Sequence, residues 1–478
     1  GYHLVWPRDL AETAGGLLAC GAHAEARRVI EYFAAIQEAD GHWPQNSWLD
    51  GTSYWGGTQL DECAFPALVV DLALREGALG PEDVARIWPM LRLAARFILV
   101  NGPITAQDRW EEDGGYAPFT LAVVIASLLV CADLAEELGQ TEDADFLRAS
   151  ADAWNSQIES WTYVEDTPLA REAGVSGYYV RIAPPEAAER GTAVGSLVPI
   201  RNRIPEETLV GSEGLVSPDA LALVRFGLRS ADDVRIRNTV QVIDHLLKVD
   251  FPVGPSWKRY NGDGYGEHAD GRAFDGTGIG RAWPLLTGER AHFELAAGRL
   301  NVASALLETL EGLTSQGALL PEQAWDGPDL PDRELWFGKP TGSAMPLVWA
   351  HAEHLKLLRS LADGRVFDTP QAAARRYQGQ TIRDDVRLWR LNNRVRSVTV
   401  GQRLRLELLE PAIVHWGINA WANTVDAATT DSSFGLSVLE ISTTSLPPGT
   451  LIVFTWRDKT TGVWAGSDYS VRVIAPPG

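Results

Sequence analysis

Gln107-Asp108-Arg109-Trp110-Glu111-Glu112-Asp113-Gly114-Gly115-Tyr116 lies between two apolar segments whose hydrophobic spacing predicts helices at about 81–100 and 117–138. Four carboxylates and an indole, followed by a Gly-Gly bend, make this a loop between long helices. Two readings compete for its acids. They could include a proton donor held against a sugar ring, as cleavage of a glycosidic bond requires. They could equally favour the N-terminus of the following helix by interacting with its dipole.

Outward from this loop the same pattern repeats. Helical spacing predicts segments at about 9–20, 23–38, 60–75, 81–100, 117–138, 142–161, 218–228, 234–249, 281–297, 301–313 and 342–361, eleven in all. Strand signals are scarce here, apart from Ser176-Gly177-Tyr178-Tyr179-Val180-Arg181-Ile182, which reads as a short hairpin. Pro81-Glu82-Asp83 opens its helix well, because Pro suits the first turn and acids complement the dipole. Long Trp-, Gly- and acid-rich loops recur at 41–59, 107–116, 251–280 and 316–341, and should line one cavity on one rim. Paired helices closing into a ring come in even numbers. Eleven is one short of six pairs.

After Asp363 the pattern changes. From Ile382 short alternating runs appear, among them Ser397-Val398-Thr399-Val400, Arg403-Leu404-Arg405-Leu406-Glu407-Leu408 and Leu451-Ile452-Val453-Phe454-Thr455-Trp456. Turn signals such as Pro447-Pro448-Gly449 separate them. The expected organisation is a mainly α domain over 1–362, a linker over 363–381 and a small all-β, Ig-like sandwich over 382–478.

Composition narrows the function. A chain of 478 residues, 45% hydrophobic, can bury a large core. A net charge of -21 and a pI near 4.9 argue against nucleic acid, whose phosphates call for clustered Lys and Arg. Eighteen Trp, eleven Tyr and thirteen Phe could supply stacking surfaces for sugars, although cores use the same rings. Cys20, Cys63 and Cys131 have no metal spacing and cannot all pair, so neither zinc nor a disulfide framework is indicated. No uninterrupted apolar run has the length of a bilayer span. There is no signal peptide, but the chain opens at Gly1 without Met and enters a motif within five residues, so it reads as a fragment. Localisation stays open, with secretion the favoured reading.

Three further constellations carry chemistry. Tyr2-His3-Leu4-Val5-Trp6-Pro7-Arg8-Asp9 puts an Arg-Asp pair at the mouth of a helix, either to grip adjacent hydroxyls or as an N-cap beside an incidental Arg. Tyr54-Trp55-Gly56-Gly57-Thr58-Gln59-Leu60-Asp61-Glu62 is either a sugar-stacking platform or core plus cap. In Leu319-Leu320-Pro321-Glu322-Gln323-Ala324-Trp325-Asp326 an acid flanked by amide and indole could activate water, or could simply be solvated.

The ordered set Trp6-Pro7-Arg8-Asp9, Arg109-Trp110-Glu111-Glu112 and Pro321-Glu322-Gln323 resembles glycoside hydrolase family 15, the glucoamylases and glucodextranases. Trp257-Lys258-Arg259-Tyr260-Asn261-Gly262-Asp263-Gly264-Tyr265-Gly266 and Trp283-Pro284-Leu285-Leu286-Thr287-Gly288-Glu289-Arg290 extend the likeness to the bacterial type over nearly the whole chain. The resemblance implies an (α/α)6 barrel, with exo-acting inversion at the anomeric carbon and no required cofactor. By motif, Glu111 would be the general acid and Glu322 the general base, ~6.5–9.5 Å apart in an inverting pair. Glu111 would then have a raised pKa, whereas Glu322 would be ionised. Arg8 and Asp9 would hold the non-reducing-end glucose, Trp6 belongs to their motif, and Trp55 would be a stacking wall. Trp110 and Glu112 would shape the first two subsites, Arg259 would donate to the sugar, and Tyr260 would lie beside it. Asp108 could tune the charge of the acid.

Two features depart from the family. The upstream β-domain with its linker and the first barrel helix are both missing, which matches the count of eleven. A barrel lacking its first helix would expose apolar faces and leave the Arg8-Asp9 loop at a poorly ordered free end. The expected function is therefore release of β-glucose from non-reducing ends of an α-glucan oligosaccharide or polysaccharide by a monomer, with α-1,4 linkages favoured. Glucodextranase action on α-1,6 linkages, or a truncated and inactive glucan-binding protein, are the alternatives. Retention of both Glu111 and Glu322 speaks against mere binding. No EF-hand-like loop supports a structural calcium, and no metal ligands are assigned.

Overall fold

Residues 2–381 and 384–476 are described by a computed structural model. Apolar faces at helical spacing bury themselves in a ring of six inner helices, each packed on the next. These are α1 (Pro7–Ala19), α3 (Leu60–Arg75), α5 (Pro118–Glu137), α7 (Ala222–Arg225, entered through the 3-10 turn Pro218–Leu221), α9 (Pro284–Ala296) and α11 (Val348–Asp363), which returns to α1. Outside them lie α2 (His23–Ile36), α4 (Pro81–Asn101), α6 (Thr141–Asn155), α8 (Val234–Leu247) and α10 (Leu300–Gly312). The result is an α/α barrel with shorter helical turns in its loops.

Helix α5 shows why amphipathicity fades at the centre. Enclosed by α3, α4, α6 and the short helix Gln371–Tyr377, it is apolar nearly all round. The expectation that no apolar run reaches bilayer length is corrected here. By length and composition this 20-residue helix could cross a membrane, and its most apolar window is 94% buried inside the fold.

The ring closes tightly where α1 meets α11. A Cβ added at Gly16 would stand 2.9 Å from the Ala352 Cα, so only glycine permits the approach. Deeper in the same seam, Lys356 of α11 reaches Glu12 of α1, and also Asp368 at 3.0 Å and Glu353 at 3.3 Å. Arg225 of α7 and His292 of α9 both bond Glu353, at 2.7 Å each. One buried network therefore ties four inner helices to the segment after α11. Arg8 and Asp9, expected in a loop at a free end, lie in the first turn of α1, and Arg8 is 3% exposed.

Local corrections have simple causes. The segment 176–182 is not a hairpin in itself; Gly177–Tyr179 pairs antiparallel with Tyr163–Glu165, a strand just after the predicted helix at 142–161. The linker is structured too. Helix Gln371–Tyr377, rich in helix-forming Ala, buries Ala373 and Tyr377, and Arg376 pairs with Asp152 at 2.5 Å.

The C-terminal part has β1 (Val386–Trp389), β2 (Ser397–Thr399), β3 (Arg403–Leu408), β4 (Ala412–Ile418), β5 (Ala422–Ala428), β6 (Thr430–Asp431), β7 (Ser437–Ser442), β8 (Leu451–Asp458) and β9 (Tyr469–Ile474). The expected boundary at Ile382 lies outside the described residues. Strands run β1-β3-β7-β6 in one sheet and β2-β9-β8-β4-β5 in the other. Pairs β1·β3 and β2·β9 are parallel, and the register sets Leu406 opposite Leu439 and Val414 opposite Trp456. Alternating Leu404, Leu406, Val471 and Val473 meet Trp389 and Phe454 between the sheets. The sandwich sits on the barrel at α4 and α6: Phe434 stacks on Phe146, and Arg92 lies over the Phe434 ring.

Candidate active site

The loop between α4 and α5 is shaped by its own acids. Asp108 accepts from the amides of Trp110 at 3.1 Å and Glu112 at 3.0 Å, and the Asp108 amide donates to Asp113 O at 2.9 Å. Buried Arg181 joins the two sides, bonding Asp108 and Asp113 at 2.7 Å each. Asp108 therefore faces Arg181 and holds the loop's backbone. Arg109 anchors the loop to the barrel by bonding Asp219 at 2.9 Å and Glu289 at 2.7 Å. So pinned, the tip holds Glu111 at φ 63°, a left-handed conformation that a glutamate adopts only when its surroundings impose it. At the loop's end, a Cβ on Gly115 would stand 2.4 Å from Ala183 O, which explains the glycine.

A cavity of about 540 Å³ opens beside this tip. As expected, it gathers residues from the loops at 41–59, 107–116, 251–280 and 316–341; the start of the chain, Arg201 and Asn202, and the N-terminal ends of α9 and α11 also line it. Of the residues singled out in the sequence, Trp6, Arg8, Asp9, Trp55, Trp110, Glu111, Glu112, Arg259 and Glu322 all line it. Tyr260 does not. It is fully buried behind the wall, where its hydroxyl donates to Glu112 at 2.7 Å.

Trp6 Nε1 donates to Glu111 Oε1 at 2.7 Å. Arg8 is held from below, bonding Gln59 at 2.7 Å and Asp61 at 3.1 Å, with Asp9 3.7 Å away. Burial pushes the Asp9 carboxyl up to about 6 against the pull of Arg8. Arg259 is fixed by Asp263 through two 2.7 Å bonds. Trp110 packs edge-on against Trp283, 5.3 Å between centroids, and near Trp349, so the wall behind Glu111 is aromatic. Trp55 stands at the lip, about half exposed.

Glu322 lines the same cavity from the α10–α11 connection. Its amide donates to Ala344 O at 2.8 Å, and Ala344 N donates back to Glu322 Oε2 at 3.2 Å. Tyr2 OH lies 3.4 Å from both carboxylate oxygens and 2.9 Å from Tyr265 OH. Burial raises Glu322 to about 7, with the Ala344 amide and the Arg259 charge opposing the shift. The base role expects Glu322 ionised, and its raised pKa places that ionisation near neutral pH. Tyr2 is itself pushed up to about 12 by burial and the neighbouring Glu322, so it stays a neutral hydroxyl.

Sequence reasoning missed Tyr2, Tyr265, Trp283 and Trp349 as site residues. The first three lie inside quoted motifs, and that position was the available signal. Trp349, in the first turn of α11, had none. Among the described residues, no group of three or more His, Cys, Asp and Glu is placed to hold a metal ion.

An α/α barrel that brings carboxylates, arginines and an aromatic wall to one cavity defines a carbohydrate-processing class of protein. Glycosyl hydrolases family 15 matches residues 38–359, and the chain belongs to that family. It is 39% identical over 379 residues to a glucoamylase of Clostridium sp. (strain G0005), covering 79% of this chain and 49% of that protein. It is 24% identical over 360 residues to an uncharacterized glycosyl hydrolase of Methanocaldococcus jannaschii, covering 74% of this chain and 50% of that one. The chain thus spans about half the length of the curated relatives it matches. A bacterial glucoamylase solved in complex with acarbose is 39% identical with a TM-score of 0.71, over 79% of this chain and 52% of that one. A Hormoconis resinae glucoamylase, 15% identical with a TM-score of 0.52, shares the fold over 100% of this chain and 89% of its own.

Proposed function

We propose that this protein is an exo-acting, inverting α-glucosidase that releases β-glucose from the non-reducing ends of α-glucans, with α-1,4 linkages favoured. The observation that carries the reading is that Glu111 and Glu322, each held by its own loop, line one cavity together with Arg8 and Asp9. Glu111 gives its proton to the glycosidic oxygen as the bond to the anomeric carbon breaks. Glu322 takes a proton from a water that attacks the opposite face, so the configuration inverts. Arg8, Asp9 and Arg259 bind hydroxyls, Trp55 stacks at the lip, and Trp6, Trp110 and Glu112 shape the sites on either side of the bond. Tyr260 acts only through Glu112. Acid and base supply the whole proposed reaction, so it calls for no cofactor; a monomer is the proposed state. The 39% identical relative solved with acarbose supports an α-glucan oligosaccharide as ligand.

The architecture belongs to the same reading. Six inner helices carry five outer ones among the described residues, and Val348 and Leu358 of α11 are exposed. That supports a barrel short of one outer helix within this chain, over 1–362, with 363–381 as connector and an Ig-like sandwich over 382–478. Glucose release from maltose, isomaltose, dextran and trehalose tests the assignment. Maltose should be the best substrate, and release from none of the four would refute it.

A further inference from the structure

We propose that the turn at 390–393 of the β-sandwich is a clamp that positions the loop carrying Glu111, with Arg390 and Asn393 as positioning residues. The inference rests on the reading of Glu111 as the acid. The turn is tight: the Asn393 amide donates to Arg390 O at 2.9 Å, and the Arg390 amide to Asn393 O at 3.2 Å. From it two side chains reach the two ends of the loop. Arg390 Nη1 donates to Leu99 O at 2.6 Å and Gly102 O at 2.5 Å, where α4 ends and the loop begins. A guanidinium there satisfies carbonyls that the helix leaves open, at the negative end of its dipole. Asn393 Oδ1 accepts from Tyr116 OH at 2.8 Å, where the loop ends.

Each gripping group is itself fixed. Arg390 Nε bonds Glu407 of β3 at 2.9 Å, and Asn393 Nδ2 bonds Leu388 O of β1 at 3.2 Å. Tyr116 is fully buried and stacked 4.5 Å from Trp161. Between the two grips the loop zips on itself through Thr105 and Gly115, at 3.1 and 3.0 Å. Arg181 fixes the tip from the barrel; the sandwich fixes the base. A strained tip stays in place only if its base does not yield.

Asn393→Ala and Tyr116→Phe remove the hydrogen bond between these two residues from opposite sides, the first together with the bond from Asn393 to Leu388 O. On maltose each should lower kcat roughly tenfold with KM within about twofold, because a displaced acid costs rate more than binding. On 4-nitrophenyl α-glucoside, whose leaving group departs without a proton, kcat should fall less than about twofold. The double variant should be no slower than either single variant. In Asn393→Ala the amides of Thr105 and Gly115 should exchange with solvent at least roughly tenfold faster. Unchanged amide exchange overturns the proposal, as do equal losses on both substrates that multiply in the double variant. Glu111→Gln serves as the control. Should it retain maltose hydrolysis, the acid assignment fails, while amide exchange still decides whether the sandwich holds the loop.

Discussion

Trp6 Nε1 and Glu111 Oε1 meet at 2.7 Å across 105 positions of sequence, joining the start of α1 to the strained tip of the α4–α5 loop. The indole N–H has one acceptor there, and it is the nominated proton donor. The opening motif and the acid loop therefore act as one unit.

Trp6→Phe keeps the ring packing and removes that bond. As Glu111 gives up its proton it becomes a carboxylate, and a hydrogen bond to a charged group is worth about 1.5–3 kcal/mol, so kcat/KM on maltose should fall roughly ten- to a hundredfold. Steady-state kinetics on the folded variant check this. A change under about twofold would free Glu111 from dependence on Trp6.

Glu322, raised to about 7 by burial, sets a pH dependence of two kinds. As the base it must be ionised, so kcat/KM should fall as pH drops through about 7. Stability runs the other way. The folded state holds this proton more tightly than the unfolded chain, so the favourable contribution is complete below the ordinary glutamate range and is lost as pH rises through about 7. Glu322→Gln should therefore be inactive but should lose less melting temperature than the wild type between pH 5 and 8. Parallel melting curves of the two proteins would remove Glu322 as the source.

The Lys356 network predicts a stability effect remote from the cavity. Lys356→Met leaves Glu12, Glu353 and Asp368 short of a buried cation and should destabilise the fold by about 3–5 kcal/mol in denaturant titration. Loss below about 1 kcal/mol would mean that Arg225 and His292 suffice for the three acids.

Helix positions in the barrel were legible because burial on one face writes a period into the chain: 60–75 and 81–100 predicted α3 and α4 to within a residue. The acids were legible because Glu111 and Glu322 sit in loops with aromatic and amide neighbours. Which way a ring points was not. Tyr260 and Tyr265 lie five residues apart in one motif, yet Tyr260 turns into the wall toward Glu112 while Tyr265 meets Tyr2 at the cavity. Asp61 looked like a helix cap; its partnership with Arg8 is a tertiary contact over more than fifty positions, invisible to local spacing. The helix at Gln371–Tyr377 had a signal, its run of Ala, within a stretch read as a connector. The grip of Asn393 on Tyr116 depends on how two domains meet, which neither segment's pattern records.

The central claim is that Glu111 and Glu322 work as an acid and base on opposite faces of one anomeric carbon. Time-resolved proton NMR of maltose hydrolysis, read before mutarotation, tests it most directly. β-Glucose as the first product is predicted; α-glucose as the first product would contradict it.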